Sequence, residues 1–146
     1  MAISRKDVRS KLAELLAVSC TSAQEVLAYQ PSDIGVTPAV YVRSNSADRP
    51  PLTVRGKFTR FGFDILILVL QADRQHPQVW TEDKAEDLLD DIEAQVCDMM
   101  STNRVVAGYW DGLNYSQPSI IEHFDDQGIP YLLEVVKVIA EVQRDA

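Results

Sequence analysis

The chain has 146 residues, of which 46% are hydrophobic and 25% are charged, both ordinary values for a globular protein. Chains near this length bury about 70% of their unfolded surface, so we expect a single domain over residues 1–146 that needs neither a disulfide nor a metal. No stretch approaches the roughly 18 uncharged apolar residues of a membrane span, which excludes a transmembrane protein. The net charge of −8 argues against a nucleic-acid binder, because affinity for phosphates needs a positive surface.

An amphipathic helix is predicted first, over residues 4–18. Ser4 and Asp7 have the spacing of a capping box, and the apolar residues that follow recur at helical intervals. Basic residues near the N-terminus have no apolar stretch behind them, so we expect no secretory signal and synthesis in the cytoplasm. The next segment, from Thr21 to Gln30, fits a short helix capped by Ser22 and fits a strand equally well.

Strands are predicted in the middle of the chain. Residues 39–42 form a short run of β-formers, and Asn45, Ser46, Asp48, Pro50 and Pro51 predict a loop after it. From Thr53 to Gln71 the side chains alternate, and both faces become apolar toward the end of the segment. A strand of this kind is covered by a helix on one face and by a second layer or a neighbouring subunit on the other.

The second half of the chain begins with the clearest helix, over about residues 81–101, with Thr81 as its cap and an apolar stripe along one side. Residues 105–110 fit a short strand or an irregular segment, and Asp111-Gly112 predicts a turn. Residues 119–124 and 131–142 predict a hairpin around the loop 125–128. This order of elements predicts an α+β fold, with an antiparallel-dominated β-sheet and two main helices packed on one side.

Charge is divided unevenly along the chain, since residues 1–60 have a net charge of +4 and residues 61–146 a net charge of −12. Each charged region is either a solvated surface or half of a head-to-tail contact between copies, which closes into rings or grows into filaments. The basic candidates for such a contact are Arg43, Arg49, Arg55, Lys57 and Arg60. The acidic candidates are Glu86, Asp87, Asp90 and Asp91 of the second helix, with Asp125 and Asp126 of the hairpin loop.

Nucleotide and thiol chemistry have no support in the sequence. No phosphate-binding glycine loop and no nucleophile motif is present. Cys20 and Cys97 lack the spacing of a metal or redox motif, so we expect two reduced and mostly buried thiols.

Acid–base and metal chemistry are also unsupported. His76 lies before a proline in a loop, and His123 is expected at the exposed end of a strand. The pairs Asp90-Asp91 and Asp125-Asp126 suit a solvated helix face and a turn better than catalysis. We therefore predict no enzyme activity, no cofactor and no metal.

Several segments together form a pattern over most of the chain. The first helix ends in Leu15-Leu16, a hydrophobic run covers residues 25–29, and a loop leads into the segment 37–42, Thr-Pro-Ala-Val-Tyr-Val. The strand from Phe61 to Leu70 precedes the acidic helix, and residues 106–110 lead to the final hairpin. In this pattern the chain resembles the tail terminator proteins of phages with long, non-contractile tails, a group of minor tail proteins. The resemblance favours a strand over residues 25–29.

The resemblance implies a virion structural protein that forms a ring, hexameric in that family, on the end of the completed tail tube. The ring stops tube growth and presents the surface that joins the head. Its partners are other copies of itself, the tail tube protein and a head-completion or connector protein, while DNA only passes through the channel and no membrane is involved. On this hypothesis the basic candidates contact a neighbour or the tube, and the acidic ones face them or the channel. We expect reversal of Arg55 and Lys57 to Glu to weaken assembly in a salt-dependent way.

Other functions remain open at this point. A neck, tail-completion or head–tail joining protein of similar fold is the nearest alternative, and it differs in that loss of a terminator leaves overlong tubes. A monomeric cytosolic module that binds a protein or a ligand predicts no self-assembly. An enzyme would lose activity when Asp90 and Asp91 are replaced by Asn, or His123 by Ala.

Overall fold

The computed structural model describes residues 3–49, 58–71 and 82–143. Within these ranges the chain forms two helices and six strands. The elements in chain order are α1 (Arg5–Ser19), β1 (Glu25–Leu27), β2 (Ala39–Asp48), β3 (Phe58–Leu70), α2 (Glu82–Thr102), β4 (Gly112–Tyr115), β5 (Ile120–Asp126) and β6 (Ile129–Gln143). Neither helix is long and apolar enough to cross a membrane.

The six strands form one sheet in the order β1-β2-β3-β6, and the far side of β6 pairs with both β4 and β5. β5 takes the half of β6 nearest the hairpin turn, and β4 takes the other half. β1 runs parallel to β2, and the remaining pairs are antiparallel. The predicted α+β class with an antiparallel-dominated sheet is therefore confirmed.

Both helices pack on the same face of the sheet, here called the helix-covered face. Leu12 and Leu16 of α1 and Leu89 and Ile92 of α2 are fully buried there. The sheet contributes the alternate side chains of β3 and β6, because successive residues of a strand point to opposite faces. These are Phe61, Phe63, Ile65, Ile67 and Val69, with Leu132, Val136, Val138, Ala140 and Val142.

The opposite face of the sheet, here called the open face, carries a second apolar cluster. Its buried members are Ala39, Tyr41, Leu66, Leu68 and Tyr131. The cluster includes residues of the strands and of the loop after β1, which contributes Ile34, but no residue of the described helices. The prediction that β3 is apolar on both faces is confirmed, and neither of the described helices covers one of these faces.

The first third of the chain agrees with the sequence analysis. The Ser4 hydroxyl accepts a hydrogen bond from the Asp7 amide at 3.2 Å, and the Asp7 carboxylate accepts from the Ser4 amide, so the capping box is present. The helix alternative for residues 21–30 is wrong, because Glu25–Leu27 is extended and pairs with β2. The Gln24 amide donates to the Pro38 carbonyl and begins this pairing.

Two predicted boundaries are wrong. The expected loop at Asn45, Ser46 and Asp48 is strand, because β2 continues along β3 with one irregularity between Ser44 and Ser46. Of the turn expected at Asp111-Gly112, Gly112 is already the first residue of the short strand β4, which was not predicted. Residues 105–110 are largely irregular, which is one of the two predicted alternatives, with one bridge between Val106 and Trp110.

The hairpin is tighter than predicted. Asp125 and Asp126 belong to β5, so only Gln127 and Gly128 form the turn. Both have positive φ, 53° and 83°, as a two-residue type I′ turn requires. The predicted strand residues 53–57, the cap at Thr81, and His76 lie outside the described residues.

Candidate interaction surface

A buried carboxylate organises the charged half of the open face. Asp64, whose side chain is 3% exposed, accepts from Arg43 Nε at 2.9 Å, from Asn45 Nδ2 at 2.7 Å and from Lys137 Nζ at 3.4 Å. Arg43, Asp64 and Lys137 lie side by side on β2, β3 and β6. Burial would raise the pKa of Asp64, but the hydrogen bonds and the two cations outweigh it and lower that pKa below its ordinary value.

A second row of charges lies further along the same three strands. Arg60 contacts Glu141 at 3.2 Å and Asp48 at 3.8 Å. These side chains are between one-third and three-quarters exposed, so each contact contributes little to stability. Arg49 lies over the ring of Phe61, with its guanidinium carbon 5.6 Å from the centroid.

The structure shows that the basic candidates differ in how available their charges are to a partner. Arg43 and Arg60 both lie on the open face, and each is already paired with a carboxylate of the same chain. Arg49 is exposed at the end of β2. Arg55 and Lys57 lie outside the described residues. Among the described candidates, Arg49 has the charge that is most available to a partner.

The acidic candidates occupy two separate places. Glu86, Asp87, Asp90 and Asp91 are exposed on α2, on the side of the sheet that carries the helices. Asp125 and Asp126 lie at the end of β5, and Asp125 Oδ1 accepts from the Gly128 amide at 2.8 Å, which stabilises the turn. One contiguous acidic surface containing all six residues is not formed.

The apolar half of the open face contains two grooves. A small one of about 90 Å³ lies between the loop after β1 and the sheet, and its walls include Ile34, Tyr41 and Phe124. The Tyr41 hydroxyl is buried there, and no described residue forms a hydrogen bond with it. A wider groove of about 260 Å³ follows along β6, between Arg43 and Lys137 on one side and Ile120 on the other.

Strand β5 forms the outer rim of this apolar half. Ile120 is 54% exposed, Ile121 53% and Phe124 41%, although the strand is fully paired with β6 along one side. Ile120 and Phe124 belong to the open face, where Phe124 lies against the ring of Tyr131. An exposed apolar strand of this kind is a common feature of protein–protein contacts.

The helix-covered face contains one buried acid. Glu134 is 4% exposed and accepts from the Ser119 hydroxyl at 2.7 Å. Burial raises the pKa of Glu134, and the carboxylates of Glu93 and Asp90 raise it further, while the bond from Ser119 lowers it. The two thiols are free, as predicted, and burial raises the pKa of Cys20 to about 11, so this thiol is unreactive at neutral pH.

The described residues contain no cluster of three or more His, Cys, Asp or Glu side chains that could hold a metal ion. His123 is exposed on β5, and its Nδ1 lies 3.3 Å from Gln71 Oε1. His76 lies outside the described residues. Of the predicted acid–base candidates in the described ranges, Asp90 lies near a second carboxyl group, that of Glu134, whose pKa it raises.

Sequence reasoning missed the residues that shape this surface. The role of Asp64 could have been suspected from its position, since it is the only charged residue between Phe61 and Leu70. Tyr41 carried no comparable signal, because a tyrosine in a run of β-formers is ordinary. Lys137 and Glu134 became important only through the pairing of β6 with its neighbours.

No protein-family model matches the chain, and the search of curated proteins gives no match. Solved structures do match. One is a chain of the virion of a native gene transfer agent particle, with a TM-score of 0.51 and 15% sequence identity over 94% of this chain and 95% of that chain. At this identity the likeness shows a shared fold, and it extends over nearly the whole length of both chains.

Proposed function

We propose that the chain is a non-enzymatic structural protein of a phage-like virion. The fold it shares with a chain of a gene transfer agent virion supports this proposal, because that fold covers both chains almost completely. The open face also supports this proposal. Its exposed rim of Ile120 and Phe124 beside a buried apolar cluster is a surface that suits assembly with other subunits.

Within this class, the function that fits best is that of a tail terminator. In this role, copies of the chain form a ring, hexameric by the family resemblance, on the head-proximal end of the tail tube. The ring stops tube polymerisation and presents a joining surface to a head-completion or connector protein. The tail tube protein contacts the opposite side of the ring.

The separation of the charges is compatible with such a ring. The acidic surface of α2 and the acidic end of β5 lie apart from the exposed Arg49, so neighbouring copies can bring opposite charges together. Acidic side chains that remain on the channel wall would repel DNA and allow it to pass without binding. No cofactor or metal is needed for any of these steps.

The direct test is to delete the gene from its parent particle and to measure tail lengths by electron microscopy. A terminator predicts tubes that exceed the normal length and carry no head. Tails of normal length without heads would instead indicate a neck or head–tail joining protein. Intact particles of normal length would contradict both assignments and would favour a cellular binding module.

A further inference from the structure

We propose that the outer edge of β5 is a docking site for a strand from a second copy of this chain, and that the docked strand is the outer stretch of β2, residues 42–48. This inference rests on the proposed ring and names the contact that closes it. This pairing is supported by the direction of the backbone groups, the exposure of the two edges and the charges beside them.

The backbone of β5 presents a row of groups away from β6. The Pro130 carbonyl accepts from the Gln71 amide, so the backbone groups of Pro130 point toward β3. Direction alternates along a strand, and the carbonyls of Lys137 and Glu141 do accept from Ser116 and Asp111 on the other side. Residues 120, 122, 124 and 126 are therefore the partners of β6, and the amides and carbonyls of residues 121, 123 and 125 point outward.

The outer edge of β5 contains acidic side chains but neither Lys nor Pro, and no other strand of the described residues covers it. Isolated edge strands are usually short, or carry Lys or Pro, or are covered by another segment. β5 has seven residues, contains neither Lys nor Pro, and is exposed from Ile120 to Asp125. Ile121 lies on the opposite face from Ile120 and Phe124, so apolar side chains flank the free edge on both faces.

The complementary edge lies at the other side of the sheet. β1 covers β2 only along Ala39, Val40 and Tyr41, so the rest of β2 has a neighbour on one side alone within the described residues. Its partners on β3 place the backbone groups of Ser44 and Ala47 on the outer side. This stretch of β2 contains Arg43, which is paired with Asp64, and Asp48, and it is followed by the exposed Arg49, whereas β5 contains Glu122, Asp125 and Asp126.

The charges favour pairing of β5 with β2 over pairing of β5 with itself. Two copies of β5 would bring six carboxylates into one interface and no cation from either strand, which is unfavourable. β2 and β6 run in one direction and β3 and β5 in the other, so β2 of the next copy continues the antiparallel order. Two different edges in contact form a heterologous interface, which repeats from copy to copy until it closes.

The position of the two edges also fits a closed ring. β5 pairs with the half of β6 nearest the hairpin turn, whereas the outer stretch of β2 lies beside the opposite half of the sheet. Each copy must therefore be displaced along the strand direction relative to its neighbour. A sheet that closes on itself requires such a displacement, because its strands are tilted to the axis.

The first experiment compares His123→Pro with His123→Ala by sedimentation and light scattering of the full chain at concentrations up to the millimolar range. Pro removes an outward amide that β6 does not use, while Ala keeps it, so both variants should retain the melting temperature within a few degrees. We expect self-association at least roughly tenfold weaker for His123→Pro and unchanged for His123→Ala. If His123→Pro does not fold, Ile121→Lys places a charge on the same edge and has the same expected effect.

The second experiment mixes His123→Pro with Ala47→Pro, which alters the outer edge of β2. Each variant alone is expected to remain monomeric, and the mixture is expected to stop at a pair of chains, because one intact edge of each kind is left. Association of Ala47→Pro with itself, a wild-type chain that stays monomeric, or rings formed by His123→Pro would each overturn the strand pairing. The terminator proposal fails separately, through tails of normal length in the deletion.

Discussion

Two buried carboxylates, Asp64 and Glu134, have opposite environments on the two faces of the sheet. Asp64 is held by one amide and two cations, and its pKa is lowered. Glu134 has one hydroxyl donor and two carboxylates near it, and its pKa is raised. The lowered pKa of Asp64 makes the folded state more stable at higher pH, whereas the raised pKa of Glu134 makes it more stable at lower pH. The pH dependence of folding stability therefore distinguishes the two residues.

Replacing Asp64 by Asn is expected to lower the free energy of unfolding at pH 7 by about 1–3 kcal/mol, because Arg43 and Lys137 lose their carboxylate partner. The folded-state pKa lies below the unfolded value of about 3.9, so the contribution is complete above that value and is lost as pH falls through the folded-state pKa. Urea titrations between about pH 2 and pH 7, the range over which carboxyl groups titrate, should show the difference from wild type shrink at low pH. Asp48→Asn, at an exposed site on the same face, is the control. An equal pH dependence for wild type and Asp64→Asn would contradict the assignment.

Replacing Glu134 by Gln is expected to stabilise the protein at pH 7 by up to about 1 kcal/mol, since Gln keeps an acceptor for Ser119 and removes a buried charge. The folded-state pKa is above the unfolded value, so wild-type stability declines as pH rises from the unfolded value through the folded one. The gain should therefore disappear as the pH falls below the unfolded pKa of about 4.3. Thermal unfolding at several pH values measures it, with the exposed Glu122→Gln as control. A lower melting temperature for Glu134→Gln at pH 7 would show that the charge is needed.

At the scale of the elements, the close approach of β2 to β3 limits the size of the side chain that position 62 can hold. A Cβ atom on Gly62 would overlap the side chains of Ser46 and Asn45, which lie across the irregularity in β2. Asn45 donates to Asp64, so the space over Gly62 is needed to keep this donor in place. The glycine on β3 thus supports the charged half of the open face.

Gly62→Ala is expected to cost about 1–2 kcal/mol of stability, because the added methyl group displaces Asn45 from Asp64. Chemical denaturation measures the loss. Gly35→Ala is a suitable control, since a Cβ there would lie 3.8 Å from Glu25 Oε2, an ordinary contact. If both variants lose the same free energy, the close approach at Gly62 does not constrain the strand.

A substitution in the hairpin turn is expected to stabilise the protein. Gln127 has a φ of 53°, a left-handed conformation that Asn adopts more readily than Gln, and the pair Asn-Gly is strongly preferred in type I′ turns. Gln127→Asn is therefore expected to raise the free energy of unfolding by about 0.5 kcal/mol. The exposed Gln117, outside the turn, provides the matched Gln→Asn control. A destabilised Gln127→Asn variant would argue against the type I′ geometry.

At the scale of the whole molecule, the open face combines an apolar half with a charged half whose cations are mostly paired. Salt screens exposed charges and leaves apolar contacts intact, so the two contributions to association can be separated by ionic strength. Arg49 is the exposed basic candidate, and Arg43 and Arg60 have partners within the chain.

We expect the mass in solution, measured by light scattering, to exceed the 16.4 kDa of one chain at low salt and to decrease toward it at high salt. Arg49→Glu should weaken association at low salt and have little effect at high salt. Lys6→Glu makes the same charge reversal at an exposed position of α1 and should have no effect. Equal weakening by both variants would indicate a response to net charge, not a contact at Arg49.

Local pattern determined much of the fold. A period near 3.6 residues marked α1 and α2, and strict alternation marked β3 and β6, because one side of each element must exclude water. The same alternation showed that β3 is apolar on both faces. These properties follow from neighbours in the sequence, so they could be predicted without knowledge of what the strands contact.

Tertiary structure decided which residues meet. Pairing with β3 kept β2 extended through Asn45, Ser46 and Asp48 despite a loop-like composition, since ladder hydrogen bonds outweigh weak local preference. The same pairing turned Arg43 from a free cation into a partner of Asp64, and β6 added Lys137. The exposed edge of β5 likewise depends on which strands occupy the sides of β6. Such contacts join residues far apart in sequence, so their energies have no counterpart in the local pattern from which the elements were predicted.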